Sequence, residues 1–176
     1  MNASLNSIIE GIEPIIAKKG TLLLKQGDRS SKSFYVKRGL LRSYIIDQKG
    51  KEHIFMFAPE GWIMADLESI THDAPAELYI EACEESEIIE INRNMFRPND
   101  SDVIDHVEFI RLARRAAVLQ QRIIMLLSAP ALDRYHHFLK TYPQIVNRIP
   151  QKMIASYMGI TAEALSKLRS DMVRGQ

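Results

Sequence analysis

The sequence is poor in cysteine and in long apolar runs. Cys83 is its single cysteine among 176 residues, which excludes an internal disulfide and leaves too few thiols for a cysteine-ligated zinc or iron–sulfur site. The longest apolar runs, such as Ile123–Leu127, are far shorter than the ~20 residues of a membrane-spanning helix. The segment Met1–Glu10 lacks a basic start followed by an apolar stretch, so we expect no secretory signal and a cytoplasmic location.

Net charge is also small, at +1, but it is unevenly distributed. Residues 1–100 hold 12 Lys/Arg against 16 Asp/Glu, whereas residues 101–176 hold 11 against 6. This asymmetry predicts a positive potential at the C-terminal end, where an anionic partner would be attracted.

From Gly20 to Asn92 the sequence is typical of short antiparallel strands. β-rich segments alternate with turn sequences such as Asp47-Gln48-Lys49-Gly50, and the spacing favours a sandwich or jelly roll over alternating β and α units. The Asp47–Gly50 turn predicts a hairpin. The expected strands are Thr21–Lys25, Ser33–Val36, Leu40–Ile46, His53–Phe57, Leu78–Cys83 and Ile88–Ile91.

A long helix is expected after residue 100, because neither proline nor glycine occurs between Pro98 and Pro130. Apolar residues recur there at alternating steps of three and four, as in a helix that pairs with a second helix. We interpret this seam as a dimer interface; the alternative is a helix that lies on its own domain. The seam consists of Phe109, Leu112, Ala116, Leu119, Ile123 and Leu126, and a flanking row of Ile110, Ala113, Ala117, Ile124 and Leu127 widens it.

The segment Gln151–Ser170 has the pattern of a helix-turn-helix. A small residue, Ala155, stands where two helices must approach closely, and Gly159 stands where the turn favours a positive φ. Thr161 is expected to cap the second helix, and Pro150 suits the start of the first. The apolar positions of the motif are Ile154, Met158, Ile160, Leu165 and Leu168.

The second helix of this motif would enter the major groove of DNA by its N-terminal end. Glu163 is expected to accept from a cytosine amino group and Lys167 to donate to guanine, while Ala162 also faces outward. The other polar residues are interpreted as phosphate contacts, which position the protein without specifying sequence. These are Thr161, Ser166, Arg169, Ser170 and Arg174.

The order of these parts resembles the Crp/Fnr family of bacterial transcription regulators. The resemblance covers nearly the whole chain, and its most specific segments are Gly20–Asp28, Phe34–Arg42 and Ile160–Arg169. It implies a homodimer that binds an inverted-repeat DNA operator and has RNA polymerase as a further partner. The chain ends at Gln176, so we expect the helix-turn-helix to lack a full wing.

The resemblance also implies an effector pocket, in which cyclic-nucleotide-binding members use Gly-Glu-Leu and, farther on, Arg-Ser/Thr. The matching residues here are Gly61, Trp62 and Ile63, followed by Ala76 and Glu77. An alanine in place of the phosphate-binding arginine, beside a carboxylate, argues against cyclic AMP, since loss of that pair costs roughly 3–5 kcal/mol. The candidate pocket therefore binds an unknown effector or is filled by Trp62 and its neighbours.

The sequence thus predicts an α+β protein with no cofactor, no metal site and no enzymatic activity. We expect a cyclic-nucleotide-binding-like double-stranded β-helix (jelly roll) over residues 1–100, a dimerisation helix over 101–129 and a DNA-binding helix-turn-helix over 130–176. Two alternatives remain. One is a ligand-sensing or protein-interaction module that does not bind DNA; the other is a cupin-like metal enzyme, which the isolated His53 disfavours.

Overall fold

A computed structural model describes residues 9, 11–30, 32–92 and 106–174, and of residues 106–115 it describes the backbone. The chain divides into two compact units, residues 1–99 and 100–176. The described part of the first unit contains a β-sandwich and a short helix after its sixth strand, and that of the second unit is mainly helical.

The strands are β1 Ile15–Ala17, β2 Leu22–Leu24, β3 Lys32–Arg38, β4 Leu41–Ile46, β5 Glu52–Ala58, β6 Ile63–Ala65, β7 Tyr79–Ala82 and β8 Ser86–Asn92. They form two antiparallel four-stranded sheets, with strand orders β1-β8-β3-β6 and β2-β7-β4-β5. Strands that are distant in sequence are therefore neighbours, as in a jelly roll. The predicted fold class is confirmed. The short helix between β6 and β7, α1, is Leu67–His72.

Alternating side chains of the strands fill the space between the two sheets. In β3, for example, Phe34 and Val36 point inward and are fully buried, whereas Tyr35 between them is only half-buried. This period of two is what a strand with one buried face requires. The buried core cluster comprises Ala17, Leu24, Phe34, Val36, Leu41, Ala58, Met64, Ala76, Ile80, Ala82 and Ile88.

Gly39 allows the turn between β3 and β4 to lie directly against β8. Its φ is +103°, and a Cβ at this position would lie 2.3 Å from Ser86 Oγ and 2.7 Å from Ser86 Cα. The Ser86 hydroxyl in turn accepts from the Leu40 amide at 3.1 Å. Only glycine fits this contact, which explains the glycine in the Phe34–Arg42 signature.

The hairpin predicted at Asp47–Gly50 joins β4 to β5. The Asp47 carboxylate accepts from the amides of Lys49 and Lys51 and lies 2.8 Å from His53 Nε2. These contacts, first among them the one with His53, lower the pKa of Asp47 from its ordinary 3.8 to about 2. His53 thus belongs to this hairpin through its contact with Asp47.

The second unit contains four helices in its described part. They are α2 His106–Ser128, α3 Ala131–Thr141, α4 Gln151–Met158 and α5 Ala162–Arg174. Helix α3 begins directly after Pro130 and ends one residue before Tyr142-Pro143. The first five residues of the predicted dimerisation helix, 101–105, lie outside the described residues.

Candidate nucleic-acid interface

Helices α4 and α5 are joined by a turn that two local features determine. Gly159 ends α4 in the left-handed conformation, with φ 69° and ψ 29°, which glycine adopts without steric cost. Thr161 then begins α5, because its Oγ1 accepts from the Ala164 amide at 3.1 Å and so satisfies one of the free N–H groups of the first turn. The predicted turn and cap are both confirmed.

The inner faces of α4 and α5 form a small apolar core. Ala155 is 1% exposed, so its small side chain allows the helices to approach. Ile154, Met158 and Leu165 are buried, whereas Ile160 and Leu168 are half-buried. The apolar positions of the predicted helix-turn-helix therefore face the interior.

The opposite face of α5 is exposed and lines a shallow groove. Thr161 is also exposed, but it precedes this face, and Arg169 is half-buried at its edge. The groove contains Gln151 and Asp171, which the sequence analysis did not single out. It is lined by Gln151, Ala162, Glu163, Ser166, Lys167, Ser170, Asp171 and Arg174.

This groove carries charge of both signs. Lys167 and Arg174 contribute positive charge, and Glu163 and Asp171 contribute negative charge. A hydrogen bond from its own backbone amide and another from Thr161 lower the pKa of Glu163, so its carboxylate is an acceptor at neutral pH. The groove therefore presents hydrogen-bond donors and acceptors side by side.

An aromatic cluster connects α3 to α4. Phe138, Tyr142 and Tyr157 are buried, and their ring centroids lie 5.5–5.6 Å apart. The guanidinium of Arg122, from α2, lies 3.8 Å from the centroid of the Tyr157 ring, a distance typical of cation–π attraction. Arg122 is 8% exposed. Sequence reasoning missed its role because a charged residue on a helix is ordinarily read as solvent-facing.

Helix α2 presents an exposed apolar face that only partly matches the predicted dimer seam. Ile123 is 57% exposed and Leu127 is 81% exposed, and Ile124 and Ala116 are also exposed. Leu119 and Leu126 are half-buried, and Leu126 lies beside Gly159, where an added methyl would be 3.5 Å from its Cδ2. The exposed stripe is therefore rotated toward the flanking row. The side chains of Phe109 and Leu112 lie outside the described residues.

The residues of the predicted effector pocket belong to the first unit. Ala76 is buried in the core cluster, and Trp62 packs against that cluster. Ile63 is half-buried, while Gly61 and Glu77 are exposed. The candidate residues thus lie at one edge of the apolar interior, with Ala76 and Trp62 contributing to its packing.

Asp66, which the sequence analysis did not single out, links the two halves of this region. It is 2% exposed. Its carboxylate accepts from the Ser69 amide, which begins α1, and from the amides of Glu77 and Leu78, each at 2.9 Å. The pair Asp66-Leu67 also has the acidic-then-leucine order of the Gly-Glu-Leu cassette. Its carboxylate is already occupied by the protein's own amides.

No metal site is found in the described part of the chain, where no three His, Cys, Asp or Glu residues are grouped to hold an ion. Burial raises the pKa of the Cys83 thiol to about 12, so this thiol is a poor nucleophile and metal ligand. Among the described residues, no helix combines the length and apolar character needed to cross a membrane.

Residues 15–98 match the family model of the cyclic nucleotide-binding domain. The chain is 27% identical over 180 residues to Electron transport regulator A of Shewanella oneidensis, covering 93% of this chain and 69% of that protein.

Solved structures show the same fold at low identity. FixK2 from Bradyrhizobium japonicum matches with a TM-score of 0.73 and 17% identity, over 93% of this chain and 85% of that one. A CRP/FNR-family regulator from Thermus thermophilus matches with a TM-score of 0.72 and 16% identity, over 93% of this chain and 87% of that one. Residues 15–98 therefore resemble a cyclic nucleotide-binding domain, and the chain has the fold of the Crp/Fnr regulators, as its sequence predicted.

Proposed function

We propose that this protein is a sequence-specific DNA-binding transcription regulator that acts as a homodimer. The observation that carries the proposal is the exposed face of α5, where Glu163, Ser166, Lys167 and Ser170 line one groove while Leu165 anchors the opposite side. A capped helix with this division of faces has the form that lies in a major groove. The regulators of the same fold, and the relative named a regulator, support the proposal.

The polar residues of α5 fall into two proposed classes. Glu163 and Lys167 read base edges, with Ala162 beside them; Thr161, Ser166, Arg169, Ser170 and Arg174 contact phosphates. Two arginines in each protomer of a dimer would neutralise four phosphates. Affinity should then fall with salt at a logarithmic slope of about −4.

The exposed apolar face of α2 supports the proposed homodimer. Ile123, Ile124 and Leu127 are exposed close together on this face, and a second α2 would cover them. Ala116 on the same face permits close approach. A two-fold dimer places its recognition helices about 34 Å apart, so the operator should be an inverted repeat. RNA polymerase is proposed as a further partner.

The proposed regulator does not respond to cyclic AMP. Ala76 offers no charge to a cyclic phosphate and is itself part of the core, and the Asp66 carboxylate is engaged by three backbone amides. A phosphate buried without a cationic partner is strongly disfavoured. Any effector would therefore differ from a cyclic nucleotide in its chemistry.

The proposed function can be tested by selecting bound duplexes from a random pool with the full chain. The selected sequence is then titrated by fluorescence anisotropy at about 50 and 200 mM salt, with and without cyclic AMP. We expect an inverted repeat, a steep loss of affinity with salt and no effect of cyclic AMP. Failure to enrich any sequence would instead favour a ligand-sensing or protein-interaction module.

A further inference from the structure

Arg134, on α3, binds the ends of two other helices at once. Its Nε donates to the Ala129 carbonyl at 2.8 Å, and its Nη2 donates to the Leu126 carbonyl at 3.2 Å. The Leu126 carbonyl lies in the last turn of α2, and Ala129 directly follows Ser128, the last residue of that helix. Its Nη1 donates to the carbonyl of Met158, the last residue of α4, at 3.1 Å.

These acceptors are groups that a helix cannot satisfy internally. The last four carbonyls of a helix have no intrahelical donor, and the aligned peptide dipoles place partial negative charge there. A guanidinium is planar and donates in several fixed directions, so it can bond two such ends in one geometry. A lysine, which is a compact charge on a flexible stem, cannot impose that geometry.

The surroundings of Arg134 leave little room for another arrangement. The connection between α2 and α3 is only Ala129-Pro130, and the proline ring fixes φ, which is −59° here. A methyl placed on Gly159 would lie 3.6 Å from Arg134 Nη1 and 3.5 Å from Leu126 Cδ2. The end of α2, the Arg134 side chain and the turn of the helix-turn-helix therefore meet at one point.

We propose that Arg134 is the positioning residue that fixes the orientation of the helix-turn-helix relative to α2. This inference rests on the proposed function, since α2 would then carry the dimer axis and α5 the DNA contacts. A change of orientation in each protomer moves the two recognition helices relative to one another. The hydrogen bonds of Arg134 thereby determine which separation of half-sites the dimer binds best.

Half-site spacing is a readout that a loss of stability alone would not change. Changing the spacing by one base pair moves a half-site by about 3.4 Å and rotates it by about 34° around the duplex. A rigid dimer should lose roughly tenfold or more in affinity for such a duplex. Partial unfolding lowers the active fraction for every duplex equally and leaves this ratio intact.

The experiment compares the wild-type protein with Arg134→Met and Arg134→Lys on duplexes whose half-sites are respaced by one and two base pairs. We expect Arg134→Met to reduce the ratio between the affinity for the best-spaced duplex and that for a respaced duplex to less than about threefold, mainly through weaker binding at the best spacing. The ratio for Arg134→Lys should lie between the ratios of Arg134→Met and the wild type. Lys140→Met removes a positive charge from the same helix and should discriminate as the wild type does. Active protein is counted by stoichiometric titration.

A second measurement needs no DNA. Spin labels at Gln121 of α2 and Lys152 of α4, both exposed, are introduced in a Cys83→Ala background and diluted with unlabelled protein. The distance distribution should be narrow when Arg134 is retained and broader in the Arg134→Met variant. If Arg134→Met does not fold, Arg134→Lys is judged by the same two criteria.

The outcomes separate the two proposals. Wild-type discrimination combined with a wild-type distance distribution in the Arg134 variants would overturn the positioning role, even if their affinity or stability fell. If the wild type binds no duplex, the DNA-binding function fails. The distance distributions then still decide whether Arg134 fixes the orientation of the two elements.

Discussion

Single residues on α5 differ in what their loss should do to DNA binding. Lys167 lies in the exposed groove one turn after Glu163, whereas Arg174 lies near the end of the helix. A base contact carries sequence information and a phosphate contact does not. The two residues therefore make a matched pair for separating specificity from affinity.

We expect Lys167→Ala to cost about 1–3 kcal/mol on the selected operator and to relax one base position in each half-site. Binding to a set of single-base operator variants measures this directly. Arg174→Ala is the control, and it should weaken all of the variants to the same extent and lower the salt slope. Uniform weakening by Lys167→Ala would reassign Lys167 to the phosphate backbone.

The Asp47 carboxylate makes a second prediction, for stability as a function of pH. Its pKa is lowered to about 2 in the folded protein, so its contribution to stability is complete above its ordinary pKa of 3.8 and is lost as the pH falls toward 2. The Tm difference between wild type and Asp47→Asn should be at its full size above about pH 5 and shrink between about pH 4 and pH 2.

Thermal melts across this range check the prediction, with Glu77→Gln as the control for loss of one exposed negative charge. A Tm difference for Asp47→Asn that stays constant from about pH 6 to about pH 2.5 would show that its hydrogen bonds, and not its ionisation, matter.

Among the helices, strands and turns, the sequence predicted those that depend on interactions between residues close together in the chain. The helix-turn-helix and the Asp47–Gly50 hairpin were both predictable, because a cap, a glycine or a turn acts within a few residues. Strands β1 and β6 were missed because each has three residues and is held by distant partners, β8 and β3. Helix α1 was missed because six residues are too few to show a helical period.

The faces of α2 show where periodicity alone was insufficient. The spacing of apolar residues predicted a seam that includes Leu119 and Leu126, but the buried side of the described part of α2 is centred on Arg122 and Met125. A buried arginine is invisible to hydrophobic periodicity, because it depends on the Tyr157 ring that another helix brings to it. Arg134 was missed for the same reason.

The turn between α4 and α5 yields a prediction at this scale. Gly159→Ala should lower the free energy of unfolding by about 1 kcal/mol, because an L-residue is strained at a φ of +69°. The nearest atoms to an added Cβ, at 3.5 and 3.6 Å, are in ordinary contact, so the cost is in the backbone. Urea denaturation measures it.

Gly159→Asn is the matched control for this turn. Asparagine tolerates the left-handed conformation better than alanine does, so its cost should be smaller despite its larger side chain. A greater loss for asparagine than for alanine would mean that crowding by Leu126 and Arg134 dominates over backbone strain.

For the whole molecule, the exposed face of α2 predicts the oligomeric state. Ile123→Glu should weaken the dimer by at least about 3 kcal/mol, or roughly a hundredfold in dissociation constant. Each protomer would lose an apolar contact and would place a negative charge in the proposed interface. Sedimentation at several concentrations measures the constant. DNA affinity should fall with it.

Leu132→Glu provides the control for this substitution. Leu132 is 41% exposed on α3, so the same charge is introduced at an exposed leucine away from the apolar face of α2. It should leave the dimer intact. Equal weakening by both substitutions would place the subunit contact elsewhere.

The Asp66 carboxylate has a consequence for how any small molecule could act on the first unit. The segment that begins at Asp66 and the one at Glu77–Leu78 are held together by the chain's own amides. A molecule that inserted between the two segments would compete with these amides for the Asp66 carboxylate. Its apparent affinity would be its intrinsic affinity multiplied by the fraction of time that the segments are apart. Sensitivity to such a molecule therefore depends on how strongly Asp66 holds these two amides.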